Sequence, residues 1–260
     1  MSLLEAFGAG PGSMVAAVGG GGKTSLVFRL ALEAEARRIP AAVTTTVKFT
    51  RPAGLPMPPI VVTHADGLAE RYAETLAAGG AVTLVSGEGD RGRLLGFAPG
   101  VLDGLRAPGR LVLVEADGSA HRPFKAPAAH EPVIPGAATH VVVCAGLQAL
   151  GQPLDERWVH RPELAARLCG LQPGQALTAE AMAAVLLHPE GGRKGVPAGA
   201  RLMALLNAPT GFGGGGDAAR LADALAAGGF EAVVIATAHL GIVYGVKRHG
   251  MVSAPAAHHG

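Results

Sequence analysis

Residues 14–25 constrain this chain more than any other stretch. An apolar run, 14–18, leads into Gly19-Gly20-Gly21-Gly22, then Lys23-Thr24-Ser25 and a segment of helical spacing over 26–38. Strand, glycine turn and helix in that order make a βα unit, and the turn has the chemistry of a phosphate site. Glycines let backbone N–H groups converge on an anion, and the helix N-terminus adds the positive end of its dipole. Lys23 supplies a point charge for terminal phosphates, and Thr24 a hydroxyl for Mg²⁺. The full pattern G-x-x-x-x-G-K-[ST] asks for glycine at position 17, where this chain has Ala17; Gly22-Lys23-Thr24 is intact.

Further apolar, β-branched runs at 41–45, 60–63, 81–86, 111–114, 140–145, 202–206 and 232–236 read as strands. Helices are expected over 68–78, 162–168, 178–187 (Thr178 as N-cap, Glu180 in the first turn) and about 218–227. Strands apolar along their whole length, alternating with helices, predict an α/β fold with a mostly parallel sheet covered on both faces. With the glycine loop, the expected class is P-loop NTPase-like, one domain over 1–260 with a small helical insertion at about 150–200. Between these elements, 51–59 reads as a rigid proline-rich loop, 87–100 as a mobile charged loop, 119–136 as a long loop with four prolines, and 211–216 as a flexible linker.

The bulk composition removes several function classes. A content of 49% hydrophobic and 16% charged residues suits a well-buried globular chain. A net charge of +2 and 4% aromatics give neither the basic surface nor the stacking platforms that nucleic acid requires. Cys144 and Cys169 form no C-x-x-C spacing and lie in apolar contexts, which predicts buried thiols in a reducing compartment. No secretory pattern opens the chain, and the longest apolar stretch, 232–246, is too short to span a bilayer and is broken by His239 and Gly241. The expectation is a cytoplasmic protein with no membrane segment.

In parallel sheets ligands collect at the carboxyl ends of the strands, and polar groups cluster there. Asp117, closely following the strand 111–114, is placed to bind Mg²⁺ or orient water, and Glu115 falls on the same face if the strand continues. Among Thr44, Thr45 and Thr46, Thr45 is the candidate to complete the metal shell, and Lys48 can reach a phosphate or an acidic ligand. In the proline-rich loop, His121, Arg122, Lys125, His130 and Glu131 are candidates to grip an anionic substrate or partner. Asn207 ends a strand where guanine-binding proteins carry Asn-Lys-x-Asp; Ala208 and Thr210 replace the lysine and the carboxylate, so ATP is favoured over GTP. His258 and His259 read as a tail rather than a metal site.

Gly-Gly-Gly-Gly-Lys-Thr, Thr-Thr-Thr-Val-Lys, Val-Glu-Ala-Asp-Gly-Ser and Phe-Lys-Ala-Pro-Ala-Ala-His-Glu-Pro-Val-Ile-Pro stand in this order, followed by Val-His-Arg-Pro-Glu at 159–163 and His-Pro-Glu-Gly-Gly at 188–192. Over roughly 14–210 the chain resembles the YqeC-type selenium-dependent hydroxylase accessory proteins. The resemblance implies a P-loop nucleotide-binding protein linked to maturation of molybdenum hydroxylases, with Lys23 and Thr24 as phosphate and Mg²⁺ groups and Asp117 as the acid. Lys125, His130 and Glu131 carry over as motif positions only. Three activities fit: an Mg²⁺-dependent NTPase, a small-molecule kinase or cofactor-transferring enzyme, and a nucleotide-gated docking module. The partners implied are a nucleotide and a molybdenum hydroxylase or its cofactor-maturation proteins; a homodimer is a separate expectation that the resemblance does not carry.

Overall fold

A computed structural model of the chain describes residues 1–51, 55–77 and 80–250. In chain order the elements are α1 (Leu3–Phe7), β1 (Met14–Gly19), α2 (Lys23–Ala36), β2 (Ala41–Thr45), β3 (Ile60–Val62), α3 (Leu68–Ala77), β4 (Ala81–Val85), β5 (Gly87–Glu88), β6 (Leu94–Leu95) and α4 (Pro99–Asp103). They continue as β7 (Leu111–Glu115), β8 (Phe124–Lys125), β9 (His140–Gly146), β10 (Val159–His160), α5 (Pro162–Cys169), α6 (Ala179–Leu187), β11 (Arg201–Asn207), α7 (Gly216–Ala227), β12 (Ala232–Thr237) and β13 (Ile242–Arg248).

Nine strands form one sheet in the order β13-β12-β11-β9-β1-β7-β2-β4-β3. All neighbours pair in parallel except the edge strand β13, which runs antiparallel to β12. Alternate residues of β1 serve opposite faces. Met14, Ala16 and Val18 join a cluster with α6 and α7 residues such as Met182, Val185 and Leu221, while Val15 and Ala17 pack with Leu3 and Phe7 of α1 and Leu26 and Phe28 of α2. Both faces are therefore buried, which is why the strands read as continuous apolar runs. The chain is an α/β fold, and β1 with its following loop lies mid-sheet.

Beyond short elements that the sequence does not predict, such as α1, α4, β8 and β10, three segments differ in kind from the expectation. Residues 87–100 are not simply a loop: β5 and β6 form a short antiparallel hairpin, and Leu94 and Phe97 are buried. Leu94 also bridges to Phe49, with N–H···O bonds in both directions of 2.9 and 3.1 Å, so two apolar side chains pull this polar stretch onto the sheet. The glycine run 211–216 is a strand-to-helix connection, from β11 into α7, rather than a linker. The apolar stretch 232–246 divides at Gly241, whose φ of 68° lets the chain reverse into β13. Among the described residues no helix is long and apolar enough to cross a membrane. Residues 52–54 of the proline-rich loop, residue 78 of the expected helix, and His258 and His259 lie outside the described residues.

Candidate functional site

The turn after β1 is shaped by its glycines and by what packs behind them. Gly19 and Gly22 have φ of 96° and 115°, conformations that residues with a Cβ rarely adopt. A Cβ on Gly22 would lie 2.8 Å from the Asn207 carboxamide, and one on Gly20 or Gly21 would press on Pro123. Three loop amides are already engaged by the chain. Gly19 N–H donates to Asp117 Oδ2 (2.9 Å), Gly20 N–H to the Cys144 carbonyl (2.7 Å) and Gly21 N–H to the Pro123 carbonyl (2.9 Å). Helix geometry leaves the first N–H groups of α2 without an intrahelical acceptor. The donors left for an anion are therefore those of Gly22, Lys23, Thr24 and Ser25, which line a cavity of about 620 Å³.

Thr24 Oγ1 donates to Glu115 Oε2 at 2.7 Å, joining the first turn of α2 to the end of β7 at the cavity wall. Burial pushes the Glu115 carboxyl above the usual carboxylate range, against the opposing pull of Lys23 and the Thr24 hydrogen bond. Lys23, 3% exposed, donates to the carbonyls of Gly19 (2.7 Å) and Gly20 (3.3 Å) and lies 3.3 Å from Asp117 Oδ1. Burial works against its charge, but Asp117 and Glu115 outweigh burial and hold the ammonium above its ordinary pKa.

Asp117 does not stand with Glu115. The strand ends at Glu115, the chain turns, and Asp117 lies beneath the loop at 1% exposure. Its Oδ2 receives Gly19 N–H and Lys125 Nζ (3.0 Å), and it does not line the cavity. Lys125 also donates to the Gly118 carbonyl (2.7 Å) and to Glu131 Oε2 (2.8 Å), and Glu131 takes a two-pronged grip from Arg161 (2.7 and 3.2 Å). Burial alone would raise the Glu131 pKa; the hydrogen bonds and charges of Arg161 and Lys125 overcome it and hold the carboxyl at about 2. A ladder of alternating charge, Lys23–Asp117–Lys125–Glu131–Arg161, thus runs from the glycine loop to the N-terminus of α5.

The other sequence candidates divide. Lys48 and His121 line the cavity. The Thr45 hydroxyl donates to the Glu115 carbonyl (2.7 Å) and accepts from Val47 N–H (3.0 Å); this fixes the β2–β7 junction and leaves the hydroxyl outside the cavity lining. Asn207 accepts from Ala238 N–H at 3.1 Å and packs against Gly22, buttressing the loop from below. Arg122 donates to the Glu156 carbonyl, and His130 is exposed; neither lines the cavity. Of the proline-rich loop, only Ser119 to His121 face the cavity, while β8 pairs with β10 behind the glycines. Sequence reasoning did not single out Arg161 as a site residue, although it stands in the Val-His-Arg-Pro-Glu motif at 159–163 and directly before Pro162 at a helix start. It also missed Arg51 and Arg93 on the cavity wall, for which no periodicity spoke. No group of three or more metal-ligating His, Cys, Asp or Glu occurs among the described residues.

Residues 15–163 match the protein family described as YqeC protein. The "Uncharacterized protein YqeC" of Escherichia coli (strain K12) is 34% identical over 203 residues, which is 75% of this chain and 75% of that protein. No solved structure matches the chain.

Proposed function

The chain belongs to the YqeC family, and on that footing we propose that it is a nucleotide-binding protein that hydrolyses ATP or GTP with Mg²⁺. The observation that carries this reading is the Thr24–Glu115 contact of 2.7 Å at the first turn of α2, inside a cavity of small-molecule size. The N–H groups of Gly22 to Ser25 and the α2 dipole receive the β- and γ-phosphates. Lys23 adds its buried charge from the loop side. Thr24 and Glu115 are hard oxygen donors of the kind Mg²⁺ takes, so they, rather than Asp117 or Thr45, are the residues to hold it. A Mg²⁺ ion held by these two residues would supply positive charge against the negative charge that develops in phosphoryl transfer. Glu115, a carboxyl on the cavity wall beside Thr24, is the group we assign to orient a water. Asp117, held between Lys23 and Lys125, keeps the loop in shape. We place this activity in maturation of selenium-dependent molybdenum hydroxylases, the role that the YqeC resemblance implies.

The test is a thermal-shift panel with Mg²⁺-ATP and Mg²⁺-GTP on wild type and Lys23→Ala, followed by phosphate release. At a hundredfold its Kd a bound nucleotide adds about 2.7 kcal/mol, and a chain of this size gains roughly 2–4 °C per kcal/mol. Wild type should shift and Lys23→Ala should not; equal shifts, or none, would sink the reading.

A further inference from the structure

On the reading just given, the Thr24–Glu115 contact points the terminal phosphate from β1 toward β7. Beyond β7 lies β2, two strands and roughly 10 Å from β1. Here the cavity changes character. Its wall is made by residues 48–51 after β2 and by the β5–β6 hairpin, and the side chains facing the cavity include Lys48, Arg51 and Arg93. Arg51 is paired with Glu88 across this wall. Lys48 and Arg93 have no acidic partner among the described residues. The wall is not a pair of loose loops. Phe49 and Leu94 exchange both backbone hydrogen bonds, and Arg93 Nη2 donates to the Lys48 carbonyl at 3.2 Å. Lys48 and Arg93 thus flank the Phe49–Leu94 bridge on clamped backbone, both exposed at the cavity wall and neither paired with a carboxylate among the described residues.

A nucleotide seated on the loop already has Lys23 and the α2 N-terminus for its phosphates. The opposite side of β1, with His239 after β12, provides room for its base. We propose that the Lys48/Arg93 wall is a subsite for a second, anionic small molecule bearing a phosphate or carboxylate, held beside the terminal phosphate. Charge-assisted hydrogen bonds from one ammonium and one guanidinium suit either anion.

The experiment is isothermal titration of inorganic phosphate, and separately of malonate, into protein saturated with Mg²⁺ and a non-hydrolysable ATP analogue. The nucleotide-loaded wild type should bind at least one of the two anions at a single site, the tighter one naming the headgroup. Lys48→Ala/Arg93→Ala should weaken that anion roughly tenfold or more while nucleotide affinity changes less than about threefold. Both side chains are exposed, so the double variant should keep its fold, which circular dichroism checks. The proposal is overturned if neither anion binds the loaded wild type, if the double variant binds both unchanged, or if nucleotide affinity falls in step with anion affinity. Should no nucleotide bind at all, titration of the nucleotide-free protein decides the matter. Anion binding that needs Lys48 and Arg93 but not Lys23 keeps the subsite, and any other result removes it.

Discussion

Glu131 is the residue on which the charge ladder can be tested without touching the cavity. It accepts from Lys125 and from both prongs of Arg161, and its carboxyl is held at about 2 against an ordinary value of 4.5. At about 1.4 kcal/mol per pKa unit, that difference corresponds to ~3 kcal/mol, and to about 2 kcal/mol once solvent screening on the Arg161 side, 25% exposed, is discounted. Because the folded pKa lies below the unfolded one, this stability is present above pH 4.5 and is lost as the pH falls toward 2, with more than half gone by about pH 3. Glu131→Gln keeps the shape and removes the charge. Lys125 retains Asp117, but Arg161 is left beside a neutral amide. Urea denaturation across a pH series is the assay. The variant should be less stable by about 2–3 kcal/mol near neutrality, and the gap should narrow as acid removes from wild type what the mutation has already removed. Parallel curves, with the gap unchanged from neutral pH to about pH 3, would refute the ladder as a charged structure.

Three further outcomes follow from the loop and its surroundings. Gly22→Ala places a Cβ 2.8 Å from Asn207 at a φ of 115°, so it should cost about 1–3 kcal/mol in chemical denaturation and abolish the nucleotide shift. Since burial raises the Glu115 carboxyl, Mg²⁺-nucleotide affinity should increase with pH as the carboxylate forms, by up to about tenfold per unit below its pKa; titration should find Glu115→Gln weaker and flat with pH. Burial likewise pushes the Cys144 thiol far above its ordinary range, so iodoacetamide should leave it unmodified in the native protein and label it only on unfolding, as read by mass spectrometry.

Much of the fold was written locally in the sequence, and the exceptions have physical causes. The long parallel strands declared themselves because both of their faces are buried. The β5–β6 hairpin did not, because only Leu94 and Phe97 anchor it and their partners, such as Phe49, are distant in sequence. The edge strand β13 was hidden because its first residues, Ile242 and Val243, prolong the apolar run of β12 past the short turn that ends at Gly241. In the site, Gly22, Lys23 and Thr24 were legible because backbone freedom, charge and hydroxyl are fixed by residue type. The division of labour between Glu115 and Asp117 was not. Strand alternation put both on one face, and only the end of β7 at Glu115 sends Asp117 beneath the loop to Gly19 and Lys125. Arg161 joins the ladder across 30 residues of chain, a separation no local pattern reports.

The carbonyl of Pro123 accepts from both Gly21 and Gly146, at 2.9 and 2.8 Å, so one oxygen fastens the glycine turn to the end of β9 with both lone pairs occupied. The turn is therefore settled during folding rather than during ligand capture. Its conformational entropy is surrendered before any anion arrives, and a ligand meets a rigid template instead of a strap that must wrap around it. Amide exchange would register the difference. Gly20 and Gly21 should exchange slowly in the ligand-free protein, and added protection on binding should be confined to the span from Gly22 to Ser25.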